Sequence, residues 1–421
     1  MVSSCTLAGM VLAGVILGRF ADEPLPASYV IRPLLVAAAI AIVLGVLSQA
    51  AGRHAPAVAT GAALLFAAPD LRVLIPAVAV LIGAEALRRR GWGSQSLALV
   101  LIGTFFGVGL VRAIQVIELF PTGPEVAVHG PPMYVILVDA YPRLDSLASL
   151  GIDNQSFIDA LSTRGFDHYP DATSIHTRTN NTLLAMLTTE TVSNEPVSIA
   201  EPVSVAERRA IRRRLVAPPG FVVIDPPLGY VTLGPGRHID PGGMNDFEAQ
   251  LVGQSALGVV APDWAWSLLL ADLRDRLDRT LDLIEASDEP RVFAHLMAPH
   301  PPFLYGPGGS TDVPRWCWPS CGVFANTIEG LSVEMEPWVV GMAAQLEYLN
   351  TRLAGTIDNL LARHPDAVIV VFSDHGGRYS EGDPDEMHRS FLAARTPGHP
   401  GLFAAAARPD TIIRTLLAAY P

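Results

Sequence analysis

Hydrophobic positions along the chain follow two different patterns. In the first 120 residues they form long runs, 6–17, 33–51, 56–68, 71–87 and 97–117, broken by charges or prolines. Crossing a bilayer takes roughly 20 mostly apolar residues. The runs 33–51 and 97–117 reach that length and the others are short or marginal, so residues 1–120 are expected to form four to five transmembrane helices. A signal peptide is the alternative for the first run, but no basic segment precedes it and further apolar runs follow. Beyond Pro132 the apolar runs become short and unbroken: Met133–Val138, Phe221–Ile224, Val292–Leu296 and Ala367–Phe372. Such β-branched runs are the mark of strands buried on both faces of a parallel sheet. Helical patterns lie between them, notably Leu268–Ile284 and Met342–Leu361. The predicted fold is therefore an α-helical membrane anchor followed by an α/β domain, with a mostly parallel central sheet covered by helices. The predicted boundaries are an anchor over 1–120, a Pro/Gly-rich linker over 121–132 and the α/β domain over 133–421.

Charge separates the same two regions. Residues 1–120 carry 8 Arg against 5 acidic residues and the remainder 21 Arg against 36, so a slightly basic half precedes one of net −15. An acidic domain without a basic stripe repels phosphate backbones, which argues against nucleic acid as a partner. Arg88, Arg89 and Arg90 stand just before the last apolar run. Basic clusters favour the cytoplasmic face, so the chain is expected to be a multi-pass protein of the cytoplasmic membrane with its C-terminal domain extracytoplasmic. All 29 basic residues are arginine; the absence of lysine excludes Schiff-base catalysis and the Walker-type phosphate loop. Cys5 reads as a small buried residue. Cys317 and Cys321, in Trp-Cys-Trp-Pro-Ser-Cys, are expected to form a disulfide in an oxidising compartment, with a zinc site as the rival.

Ligands of parallel sheets sit beyond the carboxyl ends of the strands. Three of the predicted strands lead there into groups that bind metals or move protons: Asp139 after the first, His300 in Met-Ala-Pro-His-Pro-Pro-Phe after the third, and Asp374-His375-Gly after the fourth. Carboxylate oxygen and imidazole nitrogen suit hard or borderline divalent cations. His295, inside a strand, reads as a buried, hydrogen-bonded core residue. His168 lies before a Thr-rich segment over 172–188 and His176 within it, and their spacing selects neither for a role.

With these motifs the chain resembles the membrane-anchored, sulfatase-like branch of the alkaline phosphatase superfamily, which includes lipoteichoic acid synthases and phosphoethanolamine transferases. The resemblance rests on Val-Asp139-Ala-Tyr-Pro-Arg143, the Thr-rich segment, the His300 segment and Phe-Ser-Asp374-His375-Gly. It implies a nucleophile that opens a helix about nine residues before a Leu-Thr pair. Thr179 fits against Leu187-Thr188, and Thr177 is the alternative. It further implies that Asp139, Thr179, Asp374 and His375 surround one divalent ion, zinc or manganese ahead of calcium or magnesium. A helix N-terminus favours a bound anion, and a metal activates a hydroxyl. Around them the resemblance implies His300 as the group that protonates the leaving group or holds a second ion, and His388, Arg143 and Asn180 as contacts to the substrate. For Arg143 a carboxylate partner is the equal alternative.

The chain departs from formylglycine sulfatases, which place Pro or Ala and then Arg after the nucleophile. Thr179-Asn-Asn-Thr offers no such pattern. The expected activity is therefore metal-dependent hydrolysis or transfer of a phosphate-type ester through a covalent threonine intermediate. The expected partners are the bilayer and a lipid-linked or envelope-glycan substrate. A sulfuric ester hydrolase of the same fold and a catalytically degenerate membrane binding protein are the rival readings.

Overall fold

A computed structural model describes residues 2–21, 28–67, 130–188, 213–227, 231–234, 236–313, 335–377 and 384–421. The predicted spans 71–87 and 97–117, the linker as far as residue 129, and Cys317 and Cys321 lie outside the described residues. In chain order the elements begin with helices α1 (Val2–Ala21), α2 (Ser28–Leu47) and α3 (Ala55–Ala67). There follow β1 (Met133–Val138), α4 (Leu144–Ser149), α5 (Gln155–Thr163), β2 (Asp167–His168), α6 (Thr179–Leu187), β3 (Val222–Ile224) and β4 (Arg237–Ile239). The chain continues through α7 (Asp246–Gln254), α8 (Ala256–Val260), α9 (Pro262–Ala286), β5 (Arg291–Leu296), α10 (Met335–Arg363), β6 (Val368–Phe372), β7 (Leu392–Arg395) and α11 (Ile412–Ala419). Of the described residues, those up to 67 and those from 244 to 269 form one compact unit, and the others form a second.

In the first unit α1, α2 and α3 pack around Leu7, Val11, Phe20, Ala41, Ala59 and Ala63, joined by Phe247 of α7. A Cβ on Gly45 would stand 2.3 Å from the sulfur of Cys5, so α1 and α2 meet at a contact that only glycine allows. Cys5 is half-buried there, and its thiol faces the Ile42 carbonyl at 3.9 Å. α2 starts five residues before the predicted run. Pro33 lies inside it, near enough to its start that few helix bonds are lost. Among the described residues one helix, Tyr29–Gly52, is long and apolar enough to cross a membrane. α1 holds a shorter apolar stretch over Ser4–Leu17, and the 13 residues of α3 span about 20 Å at the usual helical rise.

The second unit is built on a seven-stranded sheet of order β2-β7-β6-β1-β5-β3-β4. β1 pairs in parallel with β5 and β6, β3 with β5 and β4, while β7 and β2 run antiparallel at one edge. Every residue of β1, β5 and β6 is buried, which is why these runs show no polar alternation. Three predicted strands were recovered within one residue at their starts, and β1 at both ends. The fold is thus an apolar N-terminal helical region followed by an α/β domain with a mostly parallel sheet flanked by helices.

Candidate metal centre

The sheet register brings two strand ends together. β1 lies between β5 and β6, with Leu137 opposite both His295 and Phe372. Asp139, one residue past β1, therefore meets Asp374, two residues past β6. Between them Ala140 has φ +56°, a left-handed conformation that costs an alanine about 1 kcal/mol. In that conformation its N–H donates to Asp374 Oδ1 at 3.1 Å. Tyr141, next in the motif, is fully buried, and its hydroxyl closes a ring of hydrogen bonds with Asn154 (2.8 Å) and Asn350 (2.8 Å), which bond each other at 2.7 Å. That network holds the strained turn in place.

Three ligating atoms converge beyond the strand ends. Asp139, Asp374 and His375 are buried and present oxygens and an imidazole nitrogen within 4.8 Å of one another. His375 Nε2 lies 3.3 Å from Asp374 Oδ2 and 3.8 Å from Asp139 Oδ1. Its Nδ1 is 2.8 Å from the Gly376 carbonyl, a geometry in which Nδ1–H donates and the Nε2 lone pair faces the carboxylates. Asp139 Oδ1 and Asp374 Oδ2 are buried without a hydrogen-bond partner in the protein. Carboxylate oxygens so placed repel one another unless a cation or proton lies between them, so the donor set fits a divalent ion.

Asp139 is further held by His295, whose Nε2 lies 3.0 Å from Asp139 Oδ2. Burial alone would raise the Asp139 carboxyl; the His295 hydrogen bond and the electrostatic attraction of the neighbouring imidazoles of His300, His295 and His375 outweigh it and hold the group well below the usual carboxylate range. His295 is buried and hydrogen-bonded as the sequence suggested, but its partner is a candidate ligand. The sequence carried no sign of this, because an imidazole in mid-strand says nothing about which neighbour it faces. His300 lies after β5, and its backbone N–H donates to the Asp139 carbonyl at 3.1 Å. Its Nδ1 faces the Pro301 carbonyl at 2.5 Å, so Nε2 is the ring nitrogen not engaged in that contact.

Thr179 is the first residue of α6 and is buried, as is Asn180. One turn on, Thr182 Oγ1 donates to the Asp374 carbonyl at 3.1 Å. Residues three apart share a helix face, so the face that carries Thr179 is the one tied to the Asp374 strand end. The first N–H groups of a helix have no partner within it. The Asn180 side-chain oxygen accepts from the Asn181 N–H at 2.9 Å, a local use of this side chain.

His388 and Arg143 line one open cleft of about 370 Å³ together with Thr173, Ser174, Asp385 and Arg389. His388 Nδ1 faces the Ser174 carbonyl at 2.8 Å, and Ser174 Oγ lies 3.4 Å from Thr182 Oγ1. Arg143 holds Asp145 through two nitrogens at 2.7 and 2.6 Å and reaches the Ala172 carbonyl at 3.3 Å. The carboxylate partner is the one present here. Thr177 lies ahead of α6, in the irregular stretch before its first turn. His176 is buried, and burial, with smaller help from His388 and Arg408, pushes its imidazole down against the opposing pull of Asp410.

No family model matches the chain, and no curated protein matches it in sequence. Solved structures do. The C-terminal periplasmic domain of EcEptC from Escherichia coli, in a complex with zinc, is 15% identical with TM-score 0.39 and covers 72% of this chain and 86% of its own. The integral membrane lipooligosaccharide phosphoethanolamine transferase A from Neisseria meningitidis is 15% identical with TM-score 0.39, over 98% of this chain and 79% of its own. A phosphonate monoester hydrolase of Agrobacterium radiobacter is 15% identical with TM-score 0.40, over 69% of this chain and 73% of its own.

Proposed function

We propose that this chain is a membrane-anchored, metal-dependent enzyme that transfers or hydrolyses a phosphate-type ester through a covalent intermediate on Thr179. The observation that carries the reading is the convergence of Asp139 Oδ1, Asp374 Oδ2 and His375 Nε2 at the adjoining ends of β1 and β6, with two of these oxygens buried and unpartnered. Asp139, Asp374 and His375 would hold one divalent ion, zinc or manganese by the mix of oxygen and nitrogen donors, with the Thr179 hydroxyl as a further ligand. Such an ion supplies a lowered hydroxyl pKa and a charge that stabilises the anionic transition state.

The chain's own residues supply the rest. Thr179 Oγ1 loses its proton to solvent and attacks phosphorus; the bond from phosphorus to the leaving alcohol oxygen breaks, and His300 delivers a proton to that oxygen from Nε2, leaving its imidazole neutral. The phosphoryl group then rests on Thr179 until water, or an acceptor hydroxyl, attacks phosphorus; the attacking oxygen passes its proton to the neutral His300 Nε2, the bond from phosphorus to Thr179 Oγ1 breaks, and that oxygen takes a proton from solvent, which restores the starting state. The N-terminus of α6 faces the transferring anion with free N–H groups and its positive dipole end. With no lysine in the chain, arginine is the remaining cationic side chain for the substrate, and Arg389 and Arg143 beside His388 frame the cleft where its remote part would lie. Residues 1–120 serve as a multi-pass anchor, the acidic domain is extracytoplasmic, and a lipid-linked or envelope-glycan substrate suits that placement.

Hydrolysis of aryl phosphate and aryl sulfate by the detergent-purified full chain, with and without a chelator, tests this reading. The expected result is chelator-sensitive release from the phosphate ester that Thr179→Ala and Asp374→Ala abolish while folding normally. Preference for the sulfate would favour the sulfatase reading, and retention of full activity by Thr179→Ala would remove the covalent mechanism. Absence of any bound metal would favour a binding protein.

A further inference from the structure

Residues 244–269 lie in sequence within the acidic half, between β4 and β5, yet they pack with the apolar helices α1–α3 in one compact unit. Phe247 of α7 joins the core of those helices and stacks edge-on against Phe20 with ring centroids 5.8 Å apart. Glu248 accepts from Arg32 at 2.8 Å, and Gln254 bonds Arg19. Arg19 lies in the last turn of α1 and Arg32 near the start of α2, so α7 sits against the C-terminal end of α1 and the N-terminal end of α2.

α7 is fixed there by its own sequence. Asn245 and Glu248 form a reciprocal capping box at its start, and Ser255 caps α8 by accepting from the Leu257 N–H. A Cβ on Gly258 would fall 2.1 Å from the Gly253 carbonyl oxygen, so the α7–α8 corner closes only with glycine at that point. The tight corner turns α8 and the start of α9 outward with Leu257, Val259, Val260, Trp264 and Leu268 exposed, Val260 at 82% and Trp264 at 55%. Ala265, Trp266 and Leu269 are buried, so α9 already has a core-facing side and its second apolar side is surplus to folding. Of the fifteen large hydrophobic residues exposed among the described residues, thirteen belong to this unit: eight on α2 and α3 and five in 257–268. Apolar surface gathered in this way marks a contact with something apolar.

We infer that residues 255–268 form an interfacial segment that lies in the outer leaflet of the bilayer, beside the α1–α2 turn, with the Trp264 ring at headgroup depth. The occupant of the patch is lipid because the patch belongs to the same unit as the exposed apolar face of α2, the one described helix that is both long and apolar enough to span. A tryptophan at the edge of an apolar stripe beside charged residues is also the usual chemistry of a membrane interface. The inference rests on the reading of α1–α3 as membrane helices. It deepens that reading: the chain returns to the membrane after entering the acidic half, and with five spans and Arg88–Arg90 inside, the α1–α2 turn falls on the same outer side as that half.

The test uses the full chain reconstituted in phosphatidylcholine vesicles, with the wild-type protein compared with Trp264→Phe. Flotation with the vesicles examines the anchor separately. The difference in emission between the two proteins isolates residue 264. The expected result is blue-shifted emission quenched about twofold by lipid brominated near the headgroup and little affected by aqueous iodide. Emission reached by iodide and not by brominated lipid, in protein that floats, overturns the inference and leaves the anchor standing. Emission reached by neither quencher assigns the patch to a protein partner or a second copy and overturns it too. Failure to float overturns the anchor and the inference together.

Discussion

Asp139 shows how the site is assembled from single residues. One of its oxygens is held by His295 and the other is left for His375 and whatever ion lies between them. An imidazole that orients a ligating carboxylate typically matters 10–100-fold in metal affinity. His295→Ala is expected to weaken metal binding by roughly that factor in a chelator-dye competition, and His295→Gln, which keeps an N–H donor, to restore part of it. Equal affinity in all three proteins would return His295 to the hydrophobic core. Because the Asp139 carboxyl is held below its usual range, it contributes stability to the metal-free protein above about pH 4, its unfolded value. That contribution is lost as pH falls through the folded value. Thermal unfolding of chelated protein should lose Tm progressively below about pH 4, and Asp139→Asn should flatten part of that loss. Asp139 and Asp374 could be picked out in the sequence because each follows an unbroken apolar run. His295 could not be recognised as a partner of Asp139, since that depends on which neighbour a side chain meets; for Arg143 a carboxylate partner was one of two equal readings, and the structure gives it as Asp145.

At the scale of elements, the site depends on close approach between a strand end and two segments packed on it. A Cβ on Gly376 would stand 2.3 Å from the Glu386 carbonyl oxygen and 2.5 Å from that of Arg389. Gly376→Ala must therefore push the His375 turn away from the 384–389 segment, at a cost of about 1–3 kcal/mol. A lowered Tm together with weaker metal binding is the expected outcome in calorimetry and dye competition, and wild-type values for both would show that the segment yields freely. Thr182 ties α6 to the same strand end. Thr182→Val keeps the shape and removes the hydrogen bond, so a loss of about 1 kcal/mol is expected in denaturant unfolding. A larger fall in kcat than in stability would show that the bond aims the helix. The sheet was legible in the sequence because strands buried on both faces leave an unmistakable apolar run. Helix lengths were less so: α9 and α10 begin six and seven residues before the predicted Leu268 and Met342. Each early segment holds a proline, Pro262 or Pro337, which reads in sequence as a break.

For the whole molecule, the charge asymmetry of the sequence and the unit structure tell related but different stories. The basic-to-acidic switch at about residue 120 suggested a clean division, whereas residues 244–269 pack with the N-terminal helices. No run in that segment is long enough to announce a membrane contact. Its role emerges only when Phe247, Glu248 and Gln254 meet Phe20, Arg32 and Arg19. The proposed topology requires the acidic domain to face away from the cytoplasm. Trypsin added to intact spheroplasts should cleave it, given arginines throughout its length; protection until the membrane is permeabilised would reverse the orientation.

The central claim is that Thr179 carries the transferred group. Mass spectrometry of the full chain quenched in acid during turnover of an aryl phosphate tests it directly. The account predicts a phosphoryl adduct on the peptide that contains Thr179, localised to that residue and absent from Thr179→Ala. An adduct on Thr177 or elsewhere, or turnover with no adduct at all, would contradict it.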